Sequence, residues 1–174
     1  AGDAAREIEA LGRQALAYPV DISDTAAVKQ MVDDVVARFG RIDILVNNAG
    51  QGIYGDFIST TEADWRQIFE INLFSPVFLT QIILPVMQAQ RKGLIINIAS
   101  IGGLIAHSDK VTAYVASKHA VVGFSLGLVQ VVAKRYPEWG VSFATVAVAA
   151  IAIVPLLEEE RHHLIEDGKD LYWN

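Results

Sequence analysis

The sequence predicts a single α/β domain built on a doubly wound parallel sheet, and three observations carry that expectation. Short stretches that are apolar along their whole length, "IDILVNN" (42–48), "LIINIAS" (94–100) and "VSFATVAV" (141–148), alternate with segments of helical periodicity. Strands of that kind belong to a parallel sheet covered on both faces. At 174 residues and 52% hydrophobic content the chain supports one core and is too short for two domains of ordinary size. No linker, internal repeat or low-complexity segment divides it, so residues 1–174 read as one domain, with 156–174 as its tail.

Taken in order, Ala4 to Leu11 has helical spacing and ends near Gly12, and "ALAYPVD" (15–21) reads as a first, short strand. Ser23 or Asp24 caps a second helix that runs to about Arg38 and stops at Gly40. After the strand at 42–48, "TEAD" from Thr61 has the form of a capping box with Asp in place of Glu. It opens a helix to about Gln90, with an irregularity expected at Pro85. The strand at 94–100 leads into a long helix over 112–135, and 141–148 is the fourth strand.

A net charge of -6 without any Lys/Arg block excludes nucleic acid and an anionic membrane surface as partners. The absence of cysteine removes disulfides, thiol nucleophiles and cysteine-ligated metals, and fits a reducing, cytoplasmic setting. His107, His119, His162 and His163 have no metal-ligand spacing, so no metal is expected. The run at 141–157 is shorter than the ~20 apolar residues of a spanning helix and contains Pro155, so it reads as a buried strand with an apolar continuation and not as a membrane span. The chain opens "AGDAAREIEALG", without a methionine or an apolar signal region, and reads as a fragment.

Ligands of such sheets bind outside the carboxyl ends of the strands. The strand ends here carry Asp21, "NNAG" (47–50) and Ser100, and the helix after Ser100 carries Tyr114 and Lys118. Asn72 stands midway along the third helix, where an amide is not intrinsically favoured. Lys118 lies one turn from Tyr114 on the same face, so its charge stabilises a phenolate whose ordinary pKa is about 10. Each residue also has a plainer reading. Tyr114 reads as an N-terminal helix aromatic, Lys118 as a solvated charge, Ser100 as a cap, Asn72 as the stabiliser of a helix distortion, and Asp21 as the cap of the next helix.

Together and in this order, "DISD", "NNAG", "INLFSPV", "INIAS" and "YVASK", with a serine fourteen residues before the tyrosine, resemble the short-chain dehydrogenase/reductase family over about residues 2–157. The resemblance implies an NAD- or NADP-dependent oxidoreductase that interconverts an alcohol and a carbonyl. In that scheme Tyr114 is the general acid/base, and Lys118 tunes it and holds the nicotinamide ribose. Ser100 orients the substrate oxygen, and Asn72 binds a water that links Lys118 to solvent. Asp21 and Ile22 fall at the adenine, while Asn48, Ala49, Gly50 and the backbone at Ala152 line the rest of the cofactor, with Asn47 bracing the sheet. The resemblance also implies a homodimer or homotetramer formed through the two long helices, by way of residues such as Phe69, Phe74, Phe78, Leu126 and Val129.

Two departures stand out. The glycine-rich strand-to-helix turn that receives the pyrophosphate is absent, together with the strand that follows it. In the family's sheet order those two strands lie between 15–20 and 42–46, so an N-terminally truncated chain with a gap in its sheet and poor cofactor binding is expected. Beyond the fourth strand, Ala149 and Ala150 stand in place of the family's Pro-Gly and Val154 in place of its Thr, while Pro155 matches. Three functions remain in view: the oxidoreductase, a non-catalytic scaffold or dimerisation module, and an epimerase or dehydratase using the same tyrosine and lysine. The apolar character of "QGIYGDFIST" (51–60) and of the tail from Leu156 points to a small, largely nonpolar substrate.

Overall fold

The computed structural model describes residues 2–106 and 108–135. Its first element, α1 (Gly2–Ala10), begins two residues ahead of the expected start, buries none of its side chains and gives way to Gly12 at φ 73°. The helix α2 (Thr25–Phe39) is bounded by local chemistry. The Asp24 carboxylate accepts from the Ala26 and Ala27 amides at 3.0 Å, and Gly40 at φ 74° returns its N–H to the Val36 carbonyl at 2.8 Å. Of the two candidate caps, Asp24 is the one used.

The capping box at Thr61 is formed. The Asp64 amide donates to Thr61 Oγ1 at 3.2 Å and the Thr61 amide to Asp64 Oδ2 at 2.9 Å, opening α3 (Glu62–Phe69). The irregularity expected at Pro85 lies elsewhere. Pro85 sits inside the regular helix α4 (Ser75–Gln90), and the break is one wide π turn over Glu70–Phe74, where the Ser75 amide and its hydroxyl both return to the Glu70 carbonyl. That extra residue per turn directs Asn72 inward.

The strands β1 (Ile44–Asn47) and β2 (Leu94–Asn97) pair in parallel, with Ile44 opposite Leu94 and Asn47 opposite Asn97. Their inner face carries the core of Leu45 and Ile95 with Val32 of α2 and Ile83 and Met87 of α4. A 3₁₀ turn (Ile101–Gly103) then leads toward α5 (Thr112–Arg135), whose Leu128 also packs on that core. Helices Glu62–Gln90 and Thr112–Val132 are long and apolar enough to cross a membrane by length and composition. Each also buries polar residues that hydrogen-bond across the fold, Asn72 and Thr80 on one and Ser117 and Ser125 on the other. Phe74, Phe78 and Leu126 point outward from them.

One sheet expectation is corrected. Residues 15–21 form no strand, because a parallel strand exists only as a ladder with a neighbour, and among the described residues no strand stands between this segment and β1. The segment is tied down instead by Tyr18, whose hydroxyl donates to Asp34 of α2 at 3.1 Å. The expected α/β architecture with a parallel sheet is present, and among the described residues Ile44 and Val46 on its outer face are 57% and 52% exposed. The expected fourth strand at 141–148, the tail 156–174, and Ala149, Ala150, Ala152, Val154, His107, His162 and His163 lie outside the described residues.

Candidate active site

Helix α5 fixes the relation between Tyr114, half-buried in its first turn, and Lys118 one turn later. Lys118 is 5% exposed, and its Nζ donates to the Ile98 carbonyl at 2.9 Å just past β2, 5.9 Å from the centre of the Tyr114 ring. Burial pushes the ammonium below the ordinary lysine range. Among the described residues no carboxylate pairs with it, since the ion pairs there are the surface pairs Arg6–Asp3, Lys29–Asp33, Arg41–Asp43 and Arg66–Glu62. A buried cation held by neutral dipoles is costly for stability, which makes Lys118 a candidate site residue.

Two glycines make room for it. At Gly103 a Cβ would stand 2.8 Å from the Lys118 carbonyl oxygen, so the absence of a side chain lets the 3₁₀ turn lie directly on α5. At Gly50 a Cβ would stand 3.3 Å from Asn72 Oδ1 and 3.4 Å from Lys118 Nζ, so the loop after β1 passes close to both polar heads.

Asn72, 2% exposed, uses its whole amide. Its Oδ1 accepts from the Gln51 amide at 2.7 Å, while Nδ2 donates to the Gln51 carbonyl and to Ser117 Oγ, both at 2.9 Å. The side chain therefore ties the π turn to the loop after β1 and to α5. Ser100 caps the 3₁₀ turn by accepting from the Gly102 amide at 3.1 Å, which leaves its hydroxyl proton to donate.

The other expected residues stand apart from this group. Asp21 is exposed, and its carboxylate takes the Ser23 amide at 2.9 Å and the Ser23 hydroxyl at 2.7 Å, bonds that hold it below the usual carboxylate range. It builds its own turn, ahead of Asp24, and Ile22 beside it is half-buried. Asn48, Ala49 and Gly50 are exposed after β1, with the Asn48 amide on the Val46 carbonyl at 3.1 Å.

Sequence reasoning passed over two participants, Gln51, which acts through its main chain, and Ser117 inside "YVASK". It also passed over most of a buried polar seam across the strand ends. Asn47 Nδ2 donates to Asn97 Oδ1 at 2.7 Å and to Thr80 Oγ1 at 3.2 Å, and Asn97 Nδ2 donates to Ser125 Oγ at 2.9 Å. The available signal was an asparagine at the same register position on both apolar strands, in "LVNN" and "IINI".

Comparison with known proteins follows this geometry. A family model described as short chain dehydrogenase matches residues 1–164. The 3-oxoacyl-(acyl-carrier-protein) reductase FabG of Thermotoga maritima is 35% identical over 120 residues, 69% of this chain and 48% of that protein. The 3-ketodihydrosphingosine reductase of Bacteroides thetaiotaomicron is 39% identical over 109 residues, 63% of this chain and 40% of that protein. Among solved structures, a metagenomic short-chain oxidoreductase in complex with NADP superposes with a TM-score of 0.71 at 34% identity, over 76% of this chain and 60% of that one. A short-chain dehydrogenase/reductase from Burkholderia phymatum in complex with NAD gives 0.70 at 30% identity, over 73% and 45%. The matched stretch spans about half the length of these curated relatives.

Proposed function

The chain belongs to the short-chain dehydrogenase family, and on that premise we propose that it carries the acid–base half of an NAD- or NADP-dependent oxidoreductase interconverting an alcohol and a carbonyl. The observation that carries the reading is the buried Lys118 ammonium, unpaired by any carboxylate among the described residues, one helical turn from Tyr114 and beside a loop that has no side chain at Gly50. That arrangement fits the ribose and nicotinamide end of a dinucleotide, because the ammonium is a donor beside an exposed loop in which Gly50 leaves room for the Asn72 and Lys118 heads. A bound nicotinamide cofactor would supply or take up the hydride.

The residues themselves handle the proton. Tyr114 donates its phenolic proton to the oxygen that gains negative charge, or takes it back in the oxidative direction. Lys118 stabilises the resulting phenolate by its charge, and Ser100 has a hydroxyl proton free to hold the reacting oxygen. Asn72 fixes the loop and the π turn around Lys118. The exposed Tyr54, Phe57 and Ile58 in the 51–60 loop favour a largely nonpolar substrate.

The test is Tyr114→Phe, assayed with NADH and NADPH over a panel of ketones. The ring is kept and the transferable proton is lost, so turnover should fall by about 10²–10⁴-fold with cofactor affinity little changed. Undiminished kcat in the variant overturns the proposal.

A further inference from the structure

We propose that Ser117 is a positioning residue for the acid–base pair: its hydroxyl joins Asn72, and through Asn72 the Gly50–Gln51 loop, to the helix that carries Tyr114 and Lys118, and so keeps the Asn72 amide oxygen beside the Lys118 ammonium. The hydrogen assignment around this group is closed. Ser117 is completely buried, and its one hydroxyl hydrogen goes to the Tyr114 carbonyl at 2.7 Å. Toward Asn72 it therefore acts only as an acceptor. The Gln51 amide is an obligatory donor and fixes Oδ1 on its side of Asn72; Nδ2 then has two hydrogens, one for the Gln51 carbonyl and one for Ser117. With this orientation Oδ1 and Lys118 Nζ both lie against the same empty point at Gly50, 3.3 Å and 3.4 Å from it.

The groups facing Lys118 make that oxygen matter. Its own helix contributes Tyr114, the end of β2 the Ile98 carbonyl, and the loop and π turn contribute Gly50 and Asn72. Tyr114 is the titratable group in this set, and the rest are neutral dipoles: the Ile98 carbonyl accepts from Nζ directly, and the Asn72 oxygen lies across the Gly50 position without a hydrogen bond to it. Removing the Ser117 hydroxyl leaves a hydrogen of Nδ2 buried without an acceptor, and the amide relieves this only by turning away from its present geometry. Lys118 then loses a share of the dipole that favours its charged form.

This inference rests on the acid–base reading for its kinetic consequence, while its decisive measurement needs no turnover. Titration of the protein followed by lysine side-chain carbon NMR gives the Lys118 midpoint directly. In Ser117→Ala it should fall by about half a pH unit, a roughly threefold change in the protonation equilibrium. Adding Ser117→Ala to Asn72→Ala should produce no further fall, because the serine acts through the asparagine. Where Ser117→Ala does not fold, Ser117→Cys, close in size and a poor acceptor, should show a smaller fall of the same sign. A Lys118 midpoint equal to the parent's with only the melting temperature lowered assigns Ser117 a purely structural role and overturns the proposal. The same fall in the Asn72→Ala background overturns it too. Should the parent reduce no carbonyl while the midpoint shifts as expected, the oxidoreductase reading fails and the positioning role stands.

Discussion

Around Lys118 four separate segments converge: the residue after β2 through the Ile98 carbonyl, the loop after β1 through Gly50, the π turn through Asn72, which Gln51 and Ser117 hold in place, and α5 through Tyr114. At Asp21 a single turn folds on itself. The Asp21 carboxylate is spent on Ser23, and the segment before it reaches the rest of the molecule through the Tyr18–Asp34 bond. The first region is a site made by long-range packing, so its geometry survives without a bound ligand. The second has exposed side chains and no ladder, and its competence to hold an adenine depends on what packs beside it. Under the proposed function, acid–base chemistry and cofactor affinity would therefore be separable in this fold.

The largest effect that sharpens this contrast is expected at Gly50. Gly50→Val places a branched side chain where a single Cβ already meets Asn72 Oδ1 at 3.3 Å and Lys118 Nζ at 3.4 Å, so one of the two polar heads must move. Displacement of about 1 Å in a catalytic group costs on the order of 10²-fold in rate, and kcat should fall by that much. The loop is at the surface, and far-UV circular dichroism should stay unchanged. A Gly50→Val protein with normal kcat would show that the crowded geometry is not required.

A smaller effect, on stability, should follow from breaking the seam beneath the site. Asn97 accepts from Asn47 and donates to Ser125, both buried. Asn97→Ala strands a donor on Asn47 and an acceptor on Ser125, and should cost about 2 kcal/mol in denaturant unfolding. A loss below ~0.5 kcal/mol would mean that the strand ends are braced by packing alone.

How much of this was legible in the sequence follows the range of the interactions. Asp24, Gly40 and the Thr61/Asp64 box act within four residues, and the helix boundaries they set were readable as written. The wide turn at 70–74 was readable only through the plainer role of Asn72, as the stabiliser of a helix distortion. Pro85 is the local signal for a break, yet Asn72 is held in its turn by Gln51 and Ser117, 21 and 45 positions away. The strand expected at 15–21 failed for the same reason, since an apolar run becomes a strand only beside a partner. The spacing of Tyr114 and Lys118 was legible because a phenol and an ammonium one turn apart are unusual on an apolar helix. Ser117 was not, because a serine on a helix reads as ordinary, and Gln51 contributes a main chain that no side-chain pattern announces.

The smallest effect tests the Asp21 turn. Asp21→Ala removes a carboxylate that the Ser23 amide and hydroxyl hold below its usual range. A depressed acid contributes stability above its unfolded value of 3.8 and loses it as pH falls through the folded value. Any difference in Tm between Asp21→Ala and the parent at neutral pH should therefore shrink as the pH falls below 3.8 and vanish only below the lowered folded value. Because the group is exposed and the helix cap is Asp24, that difference should be under about 1 °C, whereas Asp24→Ala, which removes the cap itself, should lower Tm by about 4 °C. If Asp21 serves the adenine, Asp21→Ala should weaken NADH or NADPH binding about tenfold or more, the value of one hydrogen bond to a charged group, and Asp24→Ala should leave affinity unchanged. The reverse pattern, stability lost at Asp21 and affinity lost at Asp24, would make Asp21 a structural turn residue and leave the Lys118 end as the sole built part of the cofactor site among the described residues.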